Sequence, residues 1–282
     1  NAVGLAGPVV VEADATIAAI NNATYVFGSG STGIDEASPG RAVTFSLAAG
    51  TSTLAGTVGV STVVKQGGGV LRLGSANRII DSGTVVVEAG TFDLGGGTER
   101  VATLAVVGGL VSGGTLAATT YDLQSGSLAA IVTGSGTLRK TGSGTATLSG
   151  SSVSFTGTTV VGGGVLAITS TASLPGWNVP GRFSVLGGAT LSVPASFSDA
   201  TISTLVNTGN FATGGRVGLV TSGSTRTLAF GSGSQGGLGL LLNGSGTVTA
   251  SGSNGYSGGT VLAGGLARVV SAGGLGSGTI TI

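Results

Sequence analysis

A glycine-punctuated repeat constrains this chain more than any other feature of its sequence. The stretch 134–176 alternates short apolar pairs with Gly, Ser and Thr, and a second copy begins at Gly244. The two copies align with a one-residue gap that places Phe155 opposite Tyr256, and a weaker third copy begins at Gly83. Glycine, hydroxyl and apolar residues recur at the same offsets in all three copies, so the chain is a repeat protein.

The spacing of the glycines indicates what each repeat builds. Corner glycines recur at a nearly regular interval along the chain, at Gly69, Gly90, Gly114, Gly144, Gly164 and Gly188. Between them lie short segments rich in β-branched residues and Leu, and no window combines a helical apolar period with a helix cap. The sequence therefore predicts an all-β fold with almost no helix. Its architecture is a right-handed parallel β-helix, or β-solenoid, with coils of roughly 20–25 residues, a period typical of solenoid repeats. Apolar side chains are expected inside the coil and Thr and Ser outside it.

No shift in composition requires a domain boundary. We therefore predict a single β-helical segment over residues 1–282, belonging to a longer surface protein. Loops that leave the coil are predicted at 29–41, at 173–182 and at 231–239, where Gly, Pro or polar residues replace the strand pattern.

Composition excludes several classes of site. The chain has no Cys and no His, which rules out Cys/His metal centres, disulfides and a Ser-His-Asp triad. Its 11 basic residues are scattered and the net charge is +1, unlike a nucleic-acid-binding surface. The apolar runs are far shorter than the roughly 18 residues of a membrane-spanning helix. We expect no metal, no other cofactor, no nucleic acid and no helix across a membrane.

Residues 136–168 carry a recognisable motif. They read GTLRKTGSGTATLSG, then an aromatic–Thr–Gly motif at Phe155, then GGGVLAI. This pattern resembles the passenger-associated repeat of bacterial autotransporters; the copy from Gly244 keeps the aromatic residue as Tyr256 but lacks the motif lysine, which is Lys140 in the first copy. The resemblance implies a right-handed parallel β-helix, export across an outer membrane, an extracellular position on the bacterial cell surface, and a repeat without catalytic residues.

These observations favour a non-catalytic structural or adhesive module. It would be either an autotransporter-like stalk or a self-associating subunit of a surface filament. Low charge and Val/Thr-rich strands favour homo-association, end-to-end or side-by-side, and a host or matrix glycan or protein is the other expected partner. The alternative is a β-helical polysaccharide-degrading enzyme, which would need clustered carboxylates on one face.

Partner contact is expected at Trp177, because an aromatic ring on an exposed loop favours recognition, although it could instead cap a face of the coil. Asp35 and Glu36, in the first predicted loop, are the other candidate contacts. Glu12 and Asp14 would share one face of a strand. For both acidic pairs, solvated corner charges are the competing interpretation to a catalytic or Ca²⁺ site.

Two further expectations concern side chains inside or along the coil. Phe155 and Tyr256, at equivalent repeat positions, are predicted to lie inside it. Six charged residues within one coil span are predicted to form a surface ion-pair ladder: Arg78, Asp81, Glu88, Asp93, Glu99 and Arg100.

Overall fold

The chain is an all-β protein in which parallel strands stack as a β-solenoid of about 12 turns, as the glycine-punctuated repeat predicted. The computed structural model describes residues 3–5, 9–19, 25–27, 33–221, 223, 225–231 and 235–282. Parts of the predicted loops 29–41 and 231–239 lie outside these residues. There are two compact units, Asn1–Leu138 with Ser149–Gly157, and Arg139–Leu148 with Thr158–Ile282.

The first unit contains three sheets of parallel strands. Sheet A comprises Val3–Leu5, Tyr25–Phe27, Thr51–Leu54, Val70–Leu73, Thr91–Asp93, Leu110–Ser112 and Gly126–Leu128. Sheet B comprises Ala15–Ala19, Ala42–Leu47, Thr62–Gln66, Thr84–Val87, Thr98–Val106 and Thr115–Leu123, with Ile131–Thr133 paired to the last of these. Sheet C comprises Val9–Val11, Ile34–Glu36 and Val58–Gly59. The third of these sheets includes residues 34–36, which therefore form a strand inside the predicted loop 29–41.

The second unit repeats this plan. Sheet D comprises Thr145–Leu148, Val165–Ile168, Thr190–Val193, Arg216–Thr221, Gly239–Gly244, Thr260–Leu262 and Ile280–Thr281. Sheet E includes Thr158–Val161 and Phe183–Val185, and sheet F comprises Thr225–Leu228, Thr247–Ala250 and Leu266–Val269. Strand Thr137–Lys140 begins in the first unit and ends in the second.

Alternation along each strand builds the core. In Ala42–Leu47 every second residue is fully buried, and the residues between them are half-buried on the outer side. The parallel register then stacks equivalent side chains of successive coils, so that Val85 pairs with Leu104 and Leu104 with Tyr121. Fully burying an aliphatic side chain contributes about 1.5–3 kcal/mol, and the stack repeats this gain at every turn.

The length of a turn varies with what its corners carry. Leu110 pairs with Ser127 across one of the shorter turns, whereas the turn that brings Thr190 to Arg216 is about half as long again. Glycine is required where corners of successive turns touch. Gly90 has a φ of 68°, and a Cβ there would lie 2.3 Å from the carbonyl oxygen of Gly67. A side chain at this corner would therefore be strained and would also collide with the preceding turn.

The long turn between Thr190 and Arg216 contains a short α-helix, Asp199–Val206, and the turn before it contains a 3₁₀ helix, Thr171–Ser173. The α-helix does have an N-cap: the Ser198 hydroxyl accepts a hydrogen bond from the Thr201 amide at 3.1 Å. So short a helix cannot display a sustained apolar period, which is why the pattern was missed. Helix content is 4%, as the sequence predicted in general.

Candidate functional site

The first unit carries a cleft of about 300 Å³ on its outer surface, where the first halves of two long strands pair with Ile131–Thr133. The register places Arg100 beside Ala117 and Ala117 beside Thr133, and these three residues form one outward row. Successive side chains of a strand point to opposite faces, and the residue that precedes each of these three is buried, so the three point outward. The long side chain of Arg100 therefore stands next to the short side chain of Ala117, and this difference in length forms one wall of the cleft.

Small residues keep the cleft open. Ala117, Ala118, Gly134 and Ser135 line it together with Thr119. Gly134 has a φ of 85°, and a Cβ on it would meet no atom within 4 Å, so the surface at this corner is open to solvent. The polar side-chain groups that line this cleft are therefore the guanidinium of Arg100 and the hydroxyls of Thr119 and Ser135.

Beneath the cleft lies Tyr121, which is fully buried. Its hydroxyl accepts a hydrogen bond from the Ala118 amide at 2.6 Å and can donate to the carbonyl oxygens of Leu116, at 3.0 Å, or Thr133, at 3.1 Å. Burial raises the pKa of Tyr121 to about 12, so the hydroxyl keeps its proton for donation. The ring meets Phe155 edge to face, with centroids 6.0 Å apart. Adjacent coils are therefore tied together under the cleft floor.

Both aromatic residues of the repeat lie inside the coil, as predicted from their equivalent positions. Phe155 and Tyr256 are 3% and 0% exposed. The Tyr256 hydroxyl bonds the Thr260 hydroxyl at 2.8 Å, and its ring tilts against Phe230 with centroids 6.2 Å apart. The repeat therefore places an aromatic ring at this internal position in each unit.

The Arg100 guanidinium is mostly exposed. Its Nε lies 3.5 Å from Asp81 Oδ2, and the two side chains are 70% and 67% exposed. An exposed pair of this kind contributes about 0–1 kcal/mol because water and salt screen it. Asp81 therefore orients Arg100 without removing it from solvent.

The predicted ion-pair ladder exists only as separate contacts among the described residues. Besides the pair at Arg100, Arg72 Nε lies 3.7 Å from Asp93 Oδ2. Glu88 accepts a hydrogen bond from the Gln66 side-chain amide at 2.8 Å instead of joining an arginine. These side chains do stand on the surface, and the pair of Asp81 with Arg100 joins two residues of the predicted ladder, whereas Asp93 and Glu88 contact residues outside it.

Glu99 does not belong to any surface ladder, which corrects the prediction for this residue. It is 1% exposed, and its carboxylate accepts hydrogen bonds from the backbone amides of Arg78, at 2.8 Å, and Ile79, at 3.1 Å. Burial raises the pKa of Glu99 while these hydrogen bonds oppose the rise. The carboxylate takes the place of strand carbonyls, because residues 78–79 lie outside the strands of sheet B.

The acidic pair of the first predicted loop divides between solvent and structure. Asp35 is exposed on strand Ile34–Glu36. Glu36 is half-buried and accepts hydrogen bonds from the Ser61 amide at 3.0 Å, the Ser61 hydroxyl at 2.8 Å and the Arg41 amide at 2.9 Å. The Ser61 amide, followed by the other donors, lowers the pKa of Glu36. Glu36 thus ties neighbouring coils together, and partner contact through Asp35 and Glu36 stays a prediction.

Trp177 lies on a loop held by its own turns. Its amide donates to the Leu174 carbonyl at 3.0 Å, and the side chain is half-buried. Asn210 holds the outer part of the loop: its Nδ2 donates to the Val179 carbonyl at 3.0 Å, and its Oδ1 accepts from the Gly181 amide at 2.7 Å. Val179 remains 43% exposed. Partner contact through this loop stays a prediction, and the half-buried ring matches part of the competing capping role.

Sequence reasoning missed two buried lysines. Lys65 is 0% exposed, and its ammonium donates to the carbonyl oxygens of Gln66 and Gly67, both at 2.7 Å, and of Ala89 at 3.1 Å. Burial lowers the pKa of Lys65 to about 8. The carbonyls of a tight corner point inward where no strand amide reaches them, and the ammonium supplies the missing donors.

Lys140, the lysine of the repeat motif, occupies the same kind of corner. It is 0% exposed and donates to the carbonyl oxygens of Thr141, of Gly142 at 3.0 Å and of Gly163 at 3.2 Å. The signal was present in the sequence, since Lys65 and Lys140 both begin a Lys-x-Gly-x-Gly run that is followed by an apolar strand.

A second cleft, of about 360 Å³, lies in the second unit beside Arg226. This arginine is 7% exposed. Its Nη1 donates to the Phe197 carbonyl at 2.8 Å and lies 3.3 Å from Asp199 Oδ1, and its Nη2 donates to the Ala195 carbonyl at 2.6 Å. The guanidinium is committed to the segment that leads into the helix, so it anchors that excursion to sheet F.

The other acidic pair considered for chemistry is also peripheral. Glu12 and Asp14 are exposed, and Asp14 Oδ1 accepts a hydrogen bond from the Ala42 amide at 2.9 Å. Within the ranges that the structure describes, no three His, Cys, Asp or Glu residues are close enough to hold a metal ion. No helix in the described part of the chain is long and apolar enough to cross a membrane.

Comparison with known proteins adds no identity to this geometry. No protein family, curated protein or solved structure matches the chain.

Proposed function

We propose that this chain is a non-catalytic structural or adhesive module of a bacterial cell surface, similar to the passenger segments of autotransporters. In this role the solenoid serves as an extracellular stalk or as a self-associating filament subunit. Its partners are further copies of the chain or a host or matrix surface.

The outer face of sheet B is the observation that carries the proposal. Four threonines of successive coils pair in register and form an outward row: Thr62, Thr84, Thr103 and Thr120. Val64 and Val86 pair in the next outward row. A regular face of hydroxyls and methyl groups is soluble without charge and can lie against a flat partner, because β-branched side chains suit a pleated surface. These features suit a module that acts by contact along its length.

The repeat motif provides the second line of support. Its two strands, Thr145–Leu148 and Val165–Ile168, pair in parallel register as consecutive turns of sheet D. The motif lysine, Lys140, closes a corner inside the coil. A motif that encodes strand, corner and inward aromatic residue is an element of architecture, which agrees with the structural role that the resemblance implies.

Electron microscopy of negatively stained protein over a concentration series tests the form of the module. Ordered fibres with a constant repeat are expected of a filament subunit, and single particles at every concentration are expected of a stalk. Antibodies against the chain should label intact cells that produce the natural protein.

Two results would contradict the proposal. If the antibodies label only permeabilised cells, the chain does not lie on the cell surface. Release of reducing ends from purified polysaccharides by the chain would favour the enzymatic alternative.

A further inference from the structure

We propose that the Arg100 cleft binds a saccharide that carries a carboxylate. This inference rests on the proposed adhesive function and deepens it, because it gives the module a ligand class and a site. A volume of about 300 Å³ falls at the lower end of the range of small-molecule sites. The cleft therefore suits one sugar residue at the edge of a longer chain.

The chemistry of the lining points to this class. A guanidinium offers a planar fork of donors that matches a carboxylate in bidentate geometry, and Arg100 stands 70% exposed at the edge of the cleft. The hydroxyls of Thr119 and Ser135 can donate to and accept from sugar hydroxyls. The methyl of Ala117 and the bare backbone of Gly134 leave room for the apolar face of a sugar ring.

The floor is built to hold this arrangement before a ligand arrives. From below, the Tyr121 hydroxyl contacts the Ala118 amide and the Leu116 carbonyl of its own strand and the Thr133 carbonyl of the neighbouring strand. The Val132 amide donates to the Ser152 hydroxyl at 2.9 Å, which fixes the strand that precedes Gly134. A rigid site loses less conformational entropy on binding.

Other cations in the chain are placed differently. Arg226 is bonded to backbone carbonyls and to Asp199, so its fork is occupied within the protein. Arg72 is 52% exposed and pairs with one aspartate, as Arg100 does, but it lines neither of the two clefts described above. Arg72 is consequently a matched control for exposure and charge, and the cleft is what separates it from Arg100.

The test is a titration of the protein with D-glucuronate and with N-acetylneuraminate, in which saturation-transfer NMR measures binding. D-Glucose is the neutral control and sodium sulfate is the simple anion. Dissociation constants on the order of millimolar are expected for the acidic sugars, since one small ligand makes few contacts. Glucose and sulfate should each bind at least about tenfold more weakly, because each offers only part of the recognised chemistry.

Three variants locate the binding. Arg100→Gln removes the charge and should weaken acidic-sugar binding at least about tenfold, whereas Arg72→Gln should leave it unchanged. Ala117→Leu keeps the charge and fills the cleft, so it should also abolish binding. A variant whose thermal unfolding midpoint equals that of the wild type is folded, so a loss of binding in that variant is not due to misfolding. Unchanged midpoints are expected for both arginine variants, because Arg72 and Arg100 are exposed.

The proposal is overturned if neither acidic sugar binds the wild-type chain, if sulfate binds as tightly as they do, or if Arg72→Gln weakens binding as much as Arg100→Gln. Survival of binding in Ala117→Leu would overturn it as well. The surface-labelling result is independent of these outcomes, so acidic-sugar binding by a chain that is absent from the cell surface would refute the proposed function and leave the site standing.

Discussion

Arg226 and Arg100 each line a cleft, one in each unit, and they have opposite environments. Arg226 is 7% exposed and donates to two backbone carbonyls, whereas the Arg100 side chain is 70% exposed and makes one long ion pair with Asp81. The same side chain therefore serves as an internal brace in one cleft and stands available to solvent in the other. The two sites differ in the nearby backbone, because the segment that leads into the helix presents the carbonyl oxygens of Ala195 and Phe197 to Arg226.

Lys65 and Lys140 extend the comparison, because they belong with Arg226. All three cations are buried and donate to carbonyl oxygens at places where the strand ladder is interrupted. A buried carbonyl without a donor costs about 1–3 kcal/mol, so an internal cation offsets several such costs at one corner. Inside the coil, charge is a means of completing the backbone hydrogen bonds.

The largest effect is expected from Arg226→Met. The substitution leaves the carbonyls of Ala195 and Phe197 without these donors and should lower the free energy of unfolding of the second unit by about 3 kcal/mol. Arg100→Met, the matched exposed control, should change it by less than about 0.5 kcal/mol. Urea titration followed by circular dichroism measures both. Equal losses in the two variants would erase the distinction between the clefts.

The motif lysine should give a smaller loss. Lys140→Met keeps the length of the side chain but removes the donors to the Gly142 and Gly163 carbonyls. We expect the free energy of unfolding to fall by about 2 kcal/mol. The lost hydrogen bonds are partly offset because the variant no longer has to bury a charge. Arg139→Met, on the exposed neighbouring residue, is the control and should be neutral within about 0.5 kcal/mol. If both variants unfold at the wild-type urea concentration, the corner lysine is not a brace.

The general plan of the fold was predictable, and the polar interior was not. Glycine spacing and alternating Val, Leu and Thr specify parallel coils because a corner needs a residue without a Cβ and a half-buried strand needs period two. Nothing in that alternation distinguishes Lys140, inside the coil, from Arg139, outside it, except the parity of the position. Glu99 was misassigned to the surface for the same reason.

The candidate site was not predicted, for a related physical reason. Trp177, Asp35 and Glu36 were singled out by residue type and loop position. The cleft arises instead from parallel register, which brings Arg100, Ala117 and Ser135 together from three successive coils. A single sequence does not reveal that register until the turn lengths are known, and the turns in this region are among the shortest.

The pH dependence of stability tests whether Lys65 is a buried cation like Arg226. Its folded pKa of about 8 lies below the ordinary value of 10.5, so between these values the unfolded chain holds the proton and the folded chain releases it. This group should therefore make the protein more stable as pH rises from 8 to 10.5. Urea midpoints for wild type and Lys65→Met across this range should diverge in favour of wild type. Parallel profiles would place the lysine in solvent.

The smallest effects concern the carboxylates, for which the inside–outside comparison predicts opposite slopes. The pKa of Glu36 is lowered, chiefly by the Ser61 amide, so its contribution to stability is present at neutral pH and is lost as pH falls through the folded value. The pKa of Glu99 is raised by burial, so its contribution is lost as pH rises through the folded value and is regained on acidification.

Melting temperatures between about pH 3 and 7 should therefore show Glu36→Gln converging with wild type on acidification. Glu99→Gln should fall further behind wild type over the same interval, because only the wild-type side chain gains a stabilising proton. Slopes of the same sign in both variants would show that burial does not distinguish the two carboxylates, and the contrast between interior and surface charge would then hold for cations alone.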